Sequence, residues 1–354
     1  MKDPVCIVGL GALTSVGLSA PATSAAVRAG ISGFADHPYM INQEGDPYVV
    51  AMVPGLNEDS TGAQRYVDLA FPAIEETVSS LNELSVKTGQ IPVIIGLPES
   101  RPGLPDDLSS KLSERVKDVR KYPSFIKDVR TELKGHSAGL MALERGSQVV
   151  SDGTTEFCLV GGVDSYIDPD TLDWIEDNDQ LHKPSNAWGF IPGEAAAFCL
   201  ICSKYTANKY KLPVKAQLVA ISTAIEKNRI KTETVCIGQG LTEAVRNTIQ
   251  RLPDELRINY TICDQNGEAY RADEFGFMLC RLSEHFIDPS DYMAPADCWG
   301  DVGAASGPLF INLITAAAEK GYAKGPHTLL WTSSEGGERT AAIFRADIKE
   351  GGMA

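Results

Sequence analysis

One order of elements occurs twice in this chain, and that echo constrains its fold more than any other feature. Residues 138–163, "AGLMALERGSQVVSDGTTEFCLVGGV", give small residues, an apolar helical pattern, a polar turn, a strand-like run and a glycine turn. Residues 305–337, "ASGPLFINLITAAAEKGYAKGPHTLLWTSSEGG", repeat the order. Another apolar strand follows each copy, "GEAAAFCLICS" and "ERTAAIFRAD". A plan used twice predicts two similar halves, each with a central helix, a strand, a tight turn and a returning strand. Set back to back, the halves bury both small-residue helices in the middle. The polar, lysine-rich stretch "KYTANKYKLPVKA" divides them, so residues 1–208 and 209–354 are read as the two halves.

Elsewhere strand-like and helix-like patterns alternate: "VCIVGLGALTSVG", a helix over residues 64–84, then "IPVIIGLPES". That alternation predicts an α/β fold with a central sheet. "GLGAL" is not read as a dinucleotide fingerprint, because Thr14 stands where the third glycine belongs. A net charge of −15 argues against nucleic acid or an anionic membrane surface as the main partner. No run approaches the length of a membrane span, and "MKDPVCIVGL" does not read as a signal peptide. The eight cysteines sit in apolar contexts, which predicts buried thiols in a reducing compartment and a cytoplasmic protein. Cys199 and Cys202 fall on opposite faces of one strand-like run, so they make neither a metal site nor a redox motif. The acidic stretch "DPDTLDWIEDNDQ" lacks the spacing and central glycine of a calcium loop and reads as an exposed loop around Trp174. Neither a cofactor nor a metal is expected.

With the echo come separated motifs in a fixed order: "VGLGALTSVG", "GHSAGLMAL", "VGGVDS" and "GFIPGEAAAFCLI". Over nearly the whole chain these resemble the β-ketoacyl synthase branch of the thiolase superfamily. The resemblance implies a thiolase-like fold, two similar βαβαβ-type halves in a five-layered α/β/α/β/α arrangement. It also implies a homodimer, or a heterodimer with a related synthase, formed through the N-terminal half, with "TTEFCLVGGVD" read as the joining sheet edge. The family's nucleophilic cysteine falls on His136. Its first catalytic histidine falls on Gln265 or, one residue earlier, on Asp264. Its second falls on Asp301, and its lysine on Ala296. Glu335 takes the aromatic gate's place in the C-terminal glycine loop, and Glu194 matches a glutamate of structural role. A cysteine suits the first position because a thiolate at a helix N-terminus is both nucleophile and leaving group. An imidazole does not readily perform that thioester exchange, and a carboxylate at 301 would repel an enolate. Each missing acid–base group is worth roughly 10²–10⁴ in rate, so the family's condensing route is not expected.

His136, Ser137, Asp264, Gln265, Glu268 and Asp301 remain as polar candidates. Two readings stay open. In one, His136 acts as base for Ser137 or a water, oriented by Asp301, giving acyl transfer or thioester hydrolysis. In the other, His136 and Asp301 form a buried pair that satisfies itself. Cys298 is a further candidate nucleophile. Residues 111–134 hold eight Lys/Arg against four Asp/Glu, read either as a dock for an acidic protein or as a solvated amphipathic helix pair. On the resemblance, the chain is expected to be a non-catalytic binding, scaffold or accessory protein, similar to thiolase-like proteins encoded beside type VI secretion components. A chain-length-type partner of an active ketosynthase, or an acyltransferase or thioesterase, is the alternative.

Overall fold

The computed structural model describes residues 3–348 except 58, 84–90, 118–125, 231, 233 and 254. Strand β1 (Val5–Thr14) leads into helix α1 (Ala20–Arg28), where the Ser19 hydroxyl accepts from the Ala22 N–H and Pro21 occupies the first turn. A small hairpin, β2 (Ala35–Ile41) and β3 (Pro47–Val50), precedes α2 (Gly62–Glu83). Then come β4 (Ile91–Leu97), α3 (Leu108–Lys117), β5 (Ile126–Leu133), α4 (Ala138–Ser151), β6 (Phe157–Ser165), α5 (Pro169–Asp177) and β7 (Glu194–Ser203). Helix α6 (Lys204–Tyr210) bridges to a second series. It runs β8 (Ala216–Ile225), α7 (Gln239–Ile249), β9 (Tyr260–Cys263), α8 (Ala269–Leu282), β10 (Tyr292–Met293), α9 (Ala296–Trp299), α10 (Ser306–Glu319), β11 (His327–Ser333) and β12 (Glu338–Arg345).

Ten strands share one sheet in the order β10-β9-β11-β12-β8-β1-β7-β6-β4-β5. Read outward from the middle, β1-β7-β6-β4-β5 and β8-β12-β11-β9-β10 are the same order used twice. They meet at a short antiparallel seam, Val5–Ile7 of β1 against residues 216–218 of β8. The inner core explains the layering. Leu140 and Leu143 of α4 and Leu309, Ile311 and Ile314 of α10 share one cluster with Val160 and Ile201 from one half-sheet and Ile262 and Leu330 from the other. Outside, α2 and α3 cover the first half-sheet, and α7 and α8 cover the second. Helices therefore flank every sheet face, giving the five layers expected. Strands covered on both faces read as continuous apolar runs, as β7 does. Cys199 lies in the inner core and Cys202 in the outer one, as their spacing predicts.

Glycine allows this closeness at two kinds of place. A Cβ on Gly11 would meet the Ala73 carbonyl at 2.1 Å, so the first glycine motif brings α2 onto β1. A Cβ on Gly162 would meet the Ala304 carbonyl at 2.0 Å, and one on Gly139 the same oxygen at 2.5 Å. Among the described residues no helix is long and apolar enough to cross a membrane.

Three readings of the sequence need correction, and the link between the halves gains a helix. Strand β6, from "TTEFCLVGGVD", is not a sheet edge. It pairs with β4 on one side and β7 on the other, and among the described residues the outer strand of that half is β5. The basic region 111–134 is not a helix pair. It contains the end of α3 and the strand β5, and residues 118–125 lie outside the described residues. The acidic stretch after Asp168 is a helix, because the Asp168 carboxylate accepts from the Asp170 and Thr171 N–H groups and Pro169 sits in the first turn. The lysine-rich link holds helix α6, capped by Ser203 and ended by Lys211 in the left-handed conformation.

Candidate functional site

The site lies where two chain turns enter the central helices. After β5 the chain reverses at Gly135, whose φ of +58° favours glycine, and Gly135–Ser137 makes one 3₁₀ turn into α4. His136 and Ser137 are therefore held at the head of a buried helix, with 6% and 0% of their surfaces exposed. Opposite, Gly303–Ala305 makes the matching turn into α10, and Asp301 stands just before it. The backbone of Asp301 is anchored by its N–H to the Ile191 carbonyl and by its own carbonyl to the Gly193 N–H.

His136 Nε2 lies 2.9 Å from both oxygens of Asp301 and 3.3 Å from Arg271 Nη2. An arginine only donates and an ionised carboxylate only accepts, so one ring nitrogen cannot serve both. Asp301 is nearer and binds with two oxygens, so Nε2–H donates to it and Arg271 stands alongside as a like charge. Burial opposes the charge on His136, yet Asp301 outweighs it and raises the imidazole above its ordinary range, against the push of Arg271. Burial likewise works against the Asp301 carboxylate, and His136 and Arg271 overcome it and hold that group well below the usual range. Asp301 also caps the second turn, with Oδ1 accepting from the Gly303 N–H at 2.8 Å.

Arg271, in the first turn of α8, is the residue sequence reasoning missed. It is 1% exposed, and its guanidinium reaches Asp264 at 3.1 Å, Glu268 at 3.0 Å and the Ser333 carbonyl at 2.8 Å. Asn266 donates to Asp301 and Glu268, and Gln180 donates to Glu268 and Glu335. Burial raises the Asp264 carboxyl, with Arg271 pulling it back. The one available signal was Glu268 three residues before Arg271 at a helix start, a spacing that sets two side chains on one face.

The structure brings His136, Asp301, Asp264 and Glu268 into one buried network. Asp264, not Gln265, meets Arg271 and lines the remaining space beside His136 and Ala296. That space is about 10 Å³, room for about one water molecule. Ser137 turns elsewhere: its hydroxyl lies 3.0 Å from the Thr332 and Glu338 carbonyls, and its N–H donates to Ser334 Oγ. Cys298 sits in the inner core, where burial raises its thiol rather than activating it. Glu194 holds Arg65 through two bonds of 2.6 and 2.7 Å and accepts from the Val53 N–H. Glu226, Cys236 and Glu274 approach one another as metal ligands would. Here Glu226 already accepts from the Gly240 N–H and Glu274 pairs with Arg339.

No protein-family model and no curated protein matches the sequence. Solved structures do match over almost its whole length. One is an ishigamide ketosynthase/chain length factor, 15% identical, with a TM-score of 0.81 over 98% of this chain and all of that one. Another is apo AntDE:AntF, a type II PKS acyl-carrier protein in complex with its ketosynthase bound to the hexaketide. It is 15% identical over 98% of this chain and all of that one, with a TM-score of 0.78. A third is the ketosynthase from module 1 of the bacillaene synthase of Bacillus amyloliquefaciens FZB42. That match is 13% identical over all of this chain and 74% of that one, at 0.75. The architecture is thus the thiolase-like fold of the ketosynthases. At these identities the likeness defines the fold, and the site must be read from its own residues.

Proposed function

We propose that this chain is a non-condensing protein of the ketosynthase fold that serves as a binding subunit, paired with a second copy of itself or with a related synthase. The observation that carries the reading is the buried His136–Asp301 pair. An imidazole whose Nε2–H is bonded to a carboxylate has no lone pair at that nitrogen to take a proton, and no thiolate chemistry to offer. The space beside the pair, lined by His136, Asp264 and Asp301, is about 10 Å³, too small for an acyl chain. Thioester hydrolysis through Ser137 is disfavoured on the same geometry, because that hydroxyl faces strand backbone.

A partner role is supported by the β5 edge. Asp128 and Arg130 flank Val129, so antiparallel pairing of two copies about Val129 sets each Asp128 opposite an Arg130. The chain length factor and the carrier protein in the similar structures suit the same reading, whether the partner is a synthase subunit or an acidic protein at residues 111–134. A secretion-associated accessory role is the same binding function in another setting.

The test is the intact and native mass of the protein after incubation with acyl-CoA and malonyl-CoA. We expect no covalent adduct, no released CoA and a dimeric species. An adduct or turnover that disappears in His136→Ala or Ser137→Ala overturns the reading in favour of a rebuilt enzyme.

A further inference from the structure

A cavity of about 610 Å³ opens elsewhere, between α1, the middle of α2 and the C-terminal part of α10. Its walls are short. Ala25 of α1, Ala29 just after it and Ala316 of α10 line it, so no described residue fills the gap between the helices. A smaller chamber of about 180 Å³ adjoins it and shares Arg28 and Tyr322.

Two further observations point to a ligand. Asn312 is among the lining residues and 1% exposed, yet neither its amide nitrogen nor its amide oxygen has a hydrogen-bond partner among the described residues. It interrupts an otherwise apolar buried run, Leu309 to Ile314. A buried amide left without partners is unfavourable, so its presence beside an open cavity calls for a donor and an acceptor from outside. The second observation is charge. The Arg28 guanidinium lies 4.0 Å over the Tyr322 ring, and Lys320 is exposed at the rim. Neither makes an ion pair among the described residues, whereas Lys215 in the same wall is neutralised by Glu319 at 2.9 Å. Glu76, also in the wall, faces inward and accepts from the Ala12 and Ala20 N–H groups.

We propose that this cavity binds a compact amphipathic organic anion that carries an amide. Its carboxylate sits between Arg28 and Lys320, its amide pairs with Asn312, and its apolar body lies along the alanine walls. The volume suits a ligand of that size, since small-molecule sites span roughly 300–1,000 Å³. The site is separate from the His136 network and does not depend on how that network is read.

The probes are N-hexanoylglycine, which has all three features, and octanoate, which lacks the amide. Titration calorimetry on the full chain should give saturable binding, with N-hexanoylglycine tighter by about tenfold, the worth of one good hydrogen-bonded pair. Asn312→Leu should remove that difference while leaving octanoate binding in place. Ala25→Phe, on an exposed position of α1, should block both probes without disturbing the core, and keeps the test valid if Asn312→Leu fails to fold. The proposal is overturned by no saturable binding to the wild type, by binding indifferent to Ala25→Phe, or by a probe difference that survives Asn312→Leu.

Discussion

Gly135–Ser137 and Gly303–Ala305 are one piece of backbone used twice. Each is a 3₁₀ turn opened by a glycine in the left-handed region, at φ +58° and +45°, and each runs into a fourteen-residue helix. The first carries an imidazole and a hydroxyl, and the second carries two methyl groups. Both are held from outside themselves. Ser137 is bound by the β11 and β12 strands, while Ala304 donates its N–H to Asp164 of β6, itself paired to Arg101 at 2.6 Å. The comparison separates two demands. The left-handed backbone that turns the chain into each central helix dictates glycine in both places, and the polar side chains at 136 and 137 are additions that this turn does not require.

The largest effect should come from removing the cation that belongs to the first junction alone. Arg271→Met leaves Asp264 and Glu268 buried without their partner, and breaking such a pair costs about 3–5 kcal/mol. Urea unfolding reads this directly. A loss under about 1 kcal/mol would mean the first junction is no more dependent on charge than the second.

Gly162→Ala attacks the feature both junctions share. Its methyl group would press on the Ala304 carbonyl, the same oxygen that Gly139 approaches, so both central helices must shift. Overpacking of this kind costs about 1–3 kcal/mol. A variant as stable as the wild type would show that the contact relaxes freely and that glycine is not needed there.

The repeated plan was legible in the sequence because spacing and apolar pattern carry it: small residues, helix, turn, strand, turn, strand. His136 and Asp301 were legible because each sits beside a glycine motif that fixes its register. Arg271 was not, since its partners at 264, 268 and 333 converge only when α8 packs against β9 and β11. The sheet edge was misplaced for a physical reason. A run such as "FCLVGGV" reports burial on both faces, which says nothing about whether its backbone is paired on both sides. The true edge, "IKDVRTEL", shows it by alternating charge, the usual guard of an open strand. The same charges also fit a solvated helix, so the pattern alone does not separate the two. Helix α5 announced itself in Asp168–Pro169, a cap followed by a first-turn proline, but the acidic composition around Trp174 obscured the signal.

The smallest effect sharpens the comparison most, because it asks whether the imidazole at 136 carries a charge that its counterpart at 304 cannot. The folded value for His136 lies above its ordinary 6.5. Its stabilising contribution is therefore complete below 6.5 and is lost as pH rises through the folded value, where the native state still binds a proton the unfolded chain has released. Asp301 behaves oppositely, with a contribution present above its ordinary 3.8 and lost only as pH falls below it. His37 and His327 are both lowered by burial, so they favour folding as pH climbs toward 6.5 and must be cancelled out. Subtracting the unfolding free energy of His136→Gln from that of the wild type, across about pH 6 to 9, achieves this. The difference should fall with rising pH at no more than about 1.4 kcal/mol per unit. Parallel curves would mean that His136 titrates alike in the folded and unfolded chains, and the pair at the first junction would then be a neutral hydrogen bond with its imidazole still able to take a proton.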